Sequence, residues 1–484
     1  MGVVTSTIKP LWTPSERRGS PLPPQIKNVL TIARKHPFYS PSHIYPPNPD
    51  EIAKIASEAH SPLAENQLLA EFSIIHKDDL YKPILRLLED DHPENTFRHS
   101  TYVSMTGGGG GSSTPLAFLT DIHENRAQRV AIGDLVRRCG LLEKTDCVLS
   151  MHTSGKMYRS LDLIGDTVEY AGASILSVGH LASPKELMTF CKNFRPNVLS
   201  GDTSQLVQFA SYVESTGPSD NLKITKIMHT SEPLTHPQKL YLQSVFAPNN
   251  SPLNFISVLA SAEIGPFAVS NISLTGEPFE DCTDFIFDSR HIIVEVLPLD
   301  FHFDSQHRKY PCTLPYDEVG LLAVTSLQRF RHPLVRYLNG DIGSVHKLPL
   351  CAVPLIQEGA EHLRVLRLYG RDLRHSFKWQ GEYFEFSGLK RLMSRANWGI
   401  LRWQIVLGHD VEVPDSECLE IRLMRGTANS KDEMISQEDL VLHLKEYFCV
   451  HARNECLFNV RLAVSEEFVR SVTGNKVLMF VDRR

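Results

Sequence analysis

The chain has 484 residues, 42% hydrophobic and 22% charged, an ordinary composition for a folded protein and enough for one large and one or two smaller domains. With 50 basic against 56 acidic residues the net charge is −6, which gives no general attraction to nucleic acid or to an anionic membrane, so neither is expected as a partner. Nine cysteines, an odd number spread from Cys139 to Cys456, read as reduced thiols rather than a disulfide framework.

Residues 1–50 are rich in proline and suggest an extended arm wrapped on a core. The first residues lack the apolar core of a signal peptide, no apolar run is long enough to span a bilayer, and the final Asp-Arg-Arg is not a peroxisomal tail. Cytoplasm is the expected location. Next comes Ser104-Met105-Thr106, five glycines from Gly107 to Gly111, and Ser112-Ser113-Thr114-Pro115. Taken alone, this stretch is either a flexible linker or a loop whose amides and hydroxyls hold a polyphosphate. Ser112 follows the last glycine where a P-loop needs lysine, and the dinucleotide-binding spacing also fails there.

From about 120 to 260 the pattern alternates. Helical stretches such as ENRAQRVAIGDLVRRCGLL and SPKELMTFCKNF separate short apolar runs such as ASILSVG, NVLSGD, KITKIMHTS and LNFISVLAS. This predicts a layered α/β domain on a largely parallel sheet, with ligands at the carboxyl ends of its strands. After about 280, DFIFDS, HIIVEVLPL and GLLAVTSL read as antiparallel strands closing that domain. The expected division is an arm at 1–50, a large layered domain at 51–369, which the resemblance given below makes the nucleotide- and acid-binding one, and a small α+β domain at 370–484. Cys449, His451 and Cys456 offer three metal ligands without a fourth at zinc-site spacing, so no zinc site is expected.

Several motifs follow one another along the chain: ARKHPFYS at 33–40, IIHKDDL at 74–80, the glycine segment, GDTSQL at 201–206, HTSEPL at 229–234, LASAEIGP at 259–266, VRYLNGDIGSV at 335–345, YGRDLRHSFKWQGEYF at 369–384 and SVTGNKVLMFVDRR at 471–484. In this order they resemble the adenylate-forming superfamily, most closely phenylacetate–CoA ligase-like enzymes, from about Ala33 to the C-terminus. The resemblance implies a large layered α/β domain with a small mobile C-terminal domain. It also implies ATP, Mg²⁺ and, as co-substrate, CoA. Thr106, Gly107, Gly108, Gly109, Gly110, Gly111, Ser112, Ser113 and Thr114 would then hold the triphosphate, without the lysine that the family's loop carries. Ser231, Glu232 and Pro233 would border the adenine through their backbone. Glu263 matches the magnesium-associated glutamate, Asp341 the aspartate that binds the ribose hydroxyls, and Arg371 the nucleotide-contacting arginine. Lys378 keeps the Lys-x-x-Gly end of the interdomain motif, and Asp372 is a candidate hinge. Leu259 stands where the family's tyrosine packs on adenine. Lys476 matches the lysine that swings in on the substrate carboxylate and the α-phosphate.

The implied reaction is adenylation of a carboxylic acid, of aryl or arylacetic type, followed by transfer to a thiol, CoA first. Two alternatives stay open. One keeps adenylation but passes the acyl group to a carrier protein, an amine or another acceptor in a biosynthetic pathway. The other is a nucleotide- or acyl-binding protein without catalysis. A monomer or a homodimer would serve any of the three.

Overall fold

The computed structural model describes residues 26–484 apart from 58–68, 106–116, 156, 218–221, 232, 248–251, 279–281, 300, 302–312, 357, 372–375, 381, 410–415, 427–433 and 472–475. Thr106 to Thr114, Glu232 and Asp372 therefore lie outside the described residues.

Helix α1 (Ile26–Ala33) buries Val29, Leu30 and Ala33 against Phe72, Leu327 and Val335. This corrects the extended arm expected over that stretch. No proline occurs between Pro24 and Pro37, so nothing in that window forbids helical hydrogen bonds, and an apolar face is available to bury. Helices α2 (Pro49–Ser57) and α3 (Lys77–Glu89) follow, α3 preceded by the short strand β1 (Ile75–His76). The ARKHPFYS segment is clamped onto the later chain. The Tyr39 hydroxyl donates to the Val335 carbonyl at 3.1 Å and accepts from the Val335 amide at 2.6 Å.

Strands β2 (Thr101–Met105) and β3 (Ala117–Asp121) form an antiparallel hairpin, and a second small hairpin is made by β5 (Ser154–Gly155) and β6 (Tyr158–Arg159). The main sheet has parallel strands in the order β7 (Ser174–Ser177), β4 (Cys147–Ser150), β8 (Val198–Asp202), β9 (Lys226–Thr230) and β10 (Asn254–Ser261). The central strands β4, β8 and β9 are buried on both faces, which favours apolar runs over alternation. Val148, Val198, Met228 and Ile256 face α4 (Ile122–Arg138) and α5 (Ser160–Ala171). Leu149, Leu199 and Ile227 face the opposite layer of α6 (Pro184–Phe194), α7 (Thr203–Thr216) and α8 (His236–Phe246).

The turns into these helices carry their own start signals. Ser183 with Glu186, Asp202 with Gln205, and Thr235 with Gln238 each form a reciprocal capping box, and Pro184 and Pro237 stand in the first turns. GDTSQL is therefore a strand end and a helix cap in one motif.

Beyond β10 the sheet turns antiparallel through β11 (Gly265–Val269), β12 (Thr283–Asp288), β16 (Leu363–Arg371), β15 (Tyr337–Lys347), β14 (Gly320–Ser326) and β13 (Ile292–Leu297), with β1 parallel to β15. The antiparallel texture read after residue 280 is thus present. The chain continues into the hairpin β17 (Ser376–Trp379) and β18 (Glu382–Glu385), then into a four-stranded sheet ordered β21 (Phe458–Leu462), β20 (Glu417–Arg425), β19 (Ile400–His409) and β22 (Phe480–Asp482). Trp379, Trp398, Ile405, Ile421, Leu444 and Phe448 form a core of their own there. That sheet docks on the larger one at α8. The Gln238 amide donates to the Leu401 carbonyl, and Leu401 packs in the cluster of Leu149, Leu199 and Leu242.

Among the described residues no helix is long and apolar enough to cross a membrane.

Candidate active site

Parallel strands in register end along one rim, and that rim is where the polar motifs lie. Ser150 pairs with Ser200, Asp202 with Thr230, and Thr230 with Val258, so the segments leaving β4, β8, β9 and β10 emerge side by side. The β5–β6 hairpin leaves the end of β4 and reaches the end of β9. The Tyr158 hydroxyl lies 3.4 Å from Ser231 Oγ, which is 3.2 Å from Thr230 Oγ1. Ser231 has φ +80°, a left-handed conformation uncommon for a residue with a side chain. Such strain persists where surrounding structure imposes it, and it is typical of ligand-binding turns.

Lys476 comes to this rim from the segment between β21 and β22 of the smaller unit. Its backbone is fixed by Ser471, whose amide donates to the Lys476 carbonyl at 2.7 Å and whose hydroxyl accepts from the Lys476 amide at 3.1 Å. Its Nζ lies 5.3 Å from the centre of the Tyr158 ring, within cation–π range. Below it sits His152, 1% exposed, with Nε2 2.9 Å from Ser200 Oγ. Burial holds the His152 imidazole down to about 3, with the charges of His229 and Lys476 adding to the shift, so it is neutral at physiological pH. Residues more than 300 apart in sequence thus converge on one polar pocket: His152, Tyr158, Ser231 and Lys476.

Glu263 is half-buried in the turn between β10 and β11, which is tied by the Ile264 amide donating to Ser261 Oγ at 3.1 Å. The position two residues after Glu263 favours glycine. Gly265 has φ +87°, and a Cβ there would lie 2.6 Å from Gln128 Oε1, a side chain buried in α4. Arg329, 1% exposed, carries the positive charge that faces both Glu263 and Glu124. Burial pushes the Glu124 carboxyl up to about 7, opposed by the Arg331 amide, which donates to its Oε1 at 3.1 Å.

Asp341 lies within β15, opposite Arg371 of β16. Asn339-Gly340-Asp341 is therefore part of a long strand rather than a hairpin turn. Asp341 Oδ2 accepts from Asn339 Nδ2 at 2.8 Å and its amide donates to Asn339 Oδ1 at 3.1 Å, which aims the carboxylate. Lys378 lies on β17, opposite Tyr383. Leu259 pairs with Ala268 and packs with the Phe285 and Phe287 cluster. Exposed Pro233 follows Ser231 and Glu232 at the end of β9.

The glycine segment is located by its flanks, since Met105 stands opposite Ala117. The chain leaves and re-enters the same hairpin, which is unlike a linker joining two separate bodies. The base of that hairpin borders β6. Tyr102 lies against the guanidinium of Arg159, 4.3 Å from its ring centre, and that of Arg129, 4.8 Å away.

The sequence reading overlooked His152, Tyr158, Arg159, Tyr102 and Glu124. A signal was available for the first three, because MHTSGKMYRS directly follows the apolar run CVLS of β4, and ligands of such sheets bind at strand ends.

A magnesium ion prefers one or two carboxylates completed by substrate phosphates. Among the described residues no three His, Cys, Asp or Glu side chains cluster to make an all-protein cage, the Cys449, His451 and Cys456 set included. A single half-buried carboxylate at Glu263, beside the strand ends, fits the phosphate-sharing mode.

No sequence-family model matches the chain, and no curated protein matches it. Solved structures do. A 2-hydroxyisobutyryl-CoA ligase in the postadenylation state with 2-HIB-AMP superimposes with a TM-score of 0.60 at 17% identity, over 95% of this chain and 89% of that one. The same ligase with R3-HIB-AMP gives 0.58 at 16% identity over the same shares, 95% and 89%. In the thioesterification state, with 2-HIB-AMP and CoA, it gives 0.51 at 17% identity, again over 95% and 89%. The chain shares the fold of this CoA ligase, built as a large mixed sheet layered with helices and a smaller C-terminal α+β unit.

Proposed function

We propose that the protein is an ATP-dependent acid–thiol ligase. In the first half-reaction a carboxylate oxygen of the acid attacks the α-phosphorus of ATP. The bond from that phosphorus to the bridging oxygen breaks, and pyrophosphate leaves with the electron pair. In the second, the sulfur of CoA attacks the acyl carbon of the acyl adenylate, the thiol proton is released, and AMP departs as the thioester forms.

The observation that carries this reading is the meeting of Lys476 with Tyr158 and His152 at the strand ends. An ammonium there stabilises charge on the carboxylate and on the α-phosphate as it develops. Tyr158 restrains the cation, and neutral His152 does not repel it. Lys476 belongs to the smaller unit, so rotation of that unit about residues near 370, with Asp372 as hinge, withdraws the ammonium and makes room for the thiol. The higher similarity to the postadenylation state than to the thioesterification state of the same ligase supports an arrangement suited to the first half-reaction.

Ser231, Glu232 and Pro233 border the adenine, Asp341 binds the ribose, Arg371 and Lys378 approach the nucleotide, and the amides and hydroxyls of Thr106 to Thr114 hold the triphosphate. Glu263, together with the phosphates, would hold Mg²⁺, which would supply neutralisation of their charge. The acid is aryl or arylacetic, in keeping with the phenylacetate–CoA ligase-like motifs, and the enzyme acts in the cytoplasm.

The test is pyrophosphate release over a panel of carboxylic acids with ATP and Mg²⁺, with and without CoA. Acid-dependent pyrophosphate with acyl-CoA formation is expected. Pyrophosphate without an acyl-CoA points to a carrier protein, an amine or another acceptor. ATP binding without turnover on any acid identifies a non-catalytic binding protein and overturns the proposal. Lys476→Ala is expected to lower adenylation by about a hundredfold or more while its melting temperature stays unchanged, the scale for removing a transition-state charge partner. Undiminished pyrophosphate release in that variant would remove Lys476 from the mechanism.

A further inference from the structure

The first half-reaction expels pyrophosphate, a small and highly charged leaving group, and the glycine segment carries no cation to receive it. No lysine or arginine occurs between Arg98 and Arg126. Backbone amides and hydroxyls supply partial charges only, so any protein cation that acts on the phosphates beside Mg²⁺ comes from neighbouring elements.

Two guanidiniums stand at the base of the hairpin from which the segment springs. Tyr102, three residues before Met105, has Arg159 Cζ 4.3 Å and Arg129 Cζ 4.8 Å from its ring centre. In β6 Arg159 directly follows Tyr158, the residue whose ring centre lies 5.3 Å from the Lys476 ammonium. Its side chain is 44% exposed, and its carboxylate neighbour is Asp162, itself 37% exposed and 2.8 Å away. A pairing of that kind is worth little and exchanges readily for a stronger anion. Arg129 is 5% exposed and ion-paired with Asp166, yet its Nε has no hydrogen-bond partner. A buried N–H of a cation left without an acceptor is costly.

We propose that Arg159 binds the β- and γ-phosphates of ATP and the pyrophosphate formed from them. Tyr102 serves as the platform that orients its guanidinium, and Arg129 is the buried cation behind that platform. A planar guanidinium suits the task because its parallel N–H groups match two phosphate oxygens at once. This assignment rests on the ATP-dependent adenylation proposed above. The competing explanation is that Arg159 only ties the β5–β6 hairpin to β2.

The experiment compares wild type, Arg159→Ala, Arg159→Lys and Tyr102→Leu. It measures the KM for ATP, inhibition by pyrophosphate and by AMP, and thioester formation from preformed acyl adenylate and CoA, a step that involves no pyrophosphate. Arg159→Ala is expected to raise the KM for ATP and the pyrophosphate inhibition constant about tenfold to a hundredfold, as for loss of charged hydrogen bonds. AMP inhibition and the second half-reaction stay at wild-type level, Arg159→Lys recovers part of the loss, and Tyr102→Leu shows a smaller loss of the same kind. Equal losses for pyrophosphate and AMP, or no change in either, would establish a merely structural role. Calorimetric titration with magnesium pyrophosphate reads the same site if no acid supports adenylation. Tight binding lost in Arg159→Ala sustains the assignment independently of turnover, and unchanged binding overturns it.

Discussion

Acid should destabilise this protein steeply, and a single buried histidine controls a large part of the effect. His36 is 0% exposed, its Nδ1 accepts from the Phe38 amide at 3.2 Å, and its Nε2 has no hydrogen-bond partner. Burial, with the charge of Arg329, holds its imidazole down to about 3. Burial likewise holds His152 down to about 3 and His332, whose ring centre is 5.9 Å from that of His36, well below its ordinary value. In the unfolded chain all three titrate near 6.5. Near pH 5.5 the unfolded state therefore carries close to three protons on these rings that the folded state refuses. Glu124 acts in the opposite sense, since in the folded protein it is protonated from about 7 downward and in the unfolded chain only from 4.5. For these four groups the balance is about two protons in favour of unfolding, so their contribution to stability falls with falling pH at about 2.7 kcal/mol per unit near pH 5.5. Against a typical total of about 5–15 kcal/mol, one pH unit is a large fraction. His36→Asn keeps an acceptor for the Phe38 amide but cannot titrate, and it should reduce the slope to about 1.4 kcal/mol per unit. Urea melts at half-unit steps from pH 7 to 5 give both slopes. A wild-type stability that is flat over that range, or a variant with the wild-type slope, would refute the reasoning.

Other outcomes follow from single contacts. Leu199→Ala, at the centre of the layer between the parallel sheet and α7, should cost about 2–5 kcal/mol by urea denaturation, and a loss below one would mean that the site collapses around the gap. Gly265→Ala must adopt a left-handed conformation and push aside buried Gln128, so it should lose about 2 kcal/mol and disturb the Glu263 turn, with a fall in both melting temperature and pyrophosphate release. Asp341→Asn removes a charge at the proposed ribose site and should raise the KM for ATP about tenfold while the KM of the acid changes less. An equal change in both constants would detach Asp341 from nucleotide binding.

Much of this architecture is local in origin and could be read directly. Val148-Leu149, Val198-Leu199 and Ile227-Met228 announce doubly buried strands because both faces must be apolar, and the Ser183, Asp202 and Thr235 caps mark where the following helices start. The turn of texture after residue 280 correctly foretold antiparallel strands. The order of motifs, Glu263 before Asp341 before Lys476, likewise needs no coordinates. What local pattern cannot express is encounter. Proline count hid the helix at Ile26–Ala33, whose stability comes from Phe72 and Val335, far away in sequence. Nothing in VTGNKVL predicts that Lys476 will rest on Tyr158, and nothing in KMYRS predicts that Arg159 will lie on Tyr102 beneath the glycine hairpin. The sequence by itself determined which segments become strands and helices and which residue types are on hand, because hydrophobic period and capping act over a few residues. Only the tertiary structure decided which charges share a pocket, because that depends on strand order, on the packing of helices against both faces of the sheet, and on where the smaller unit docks.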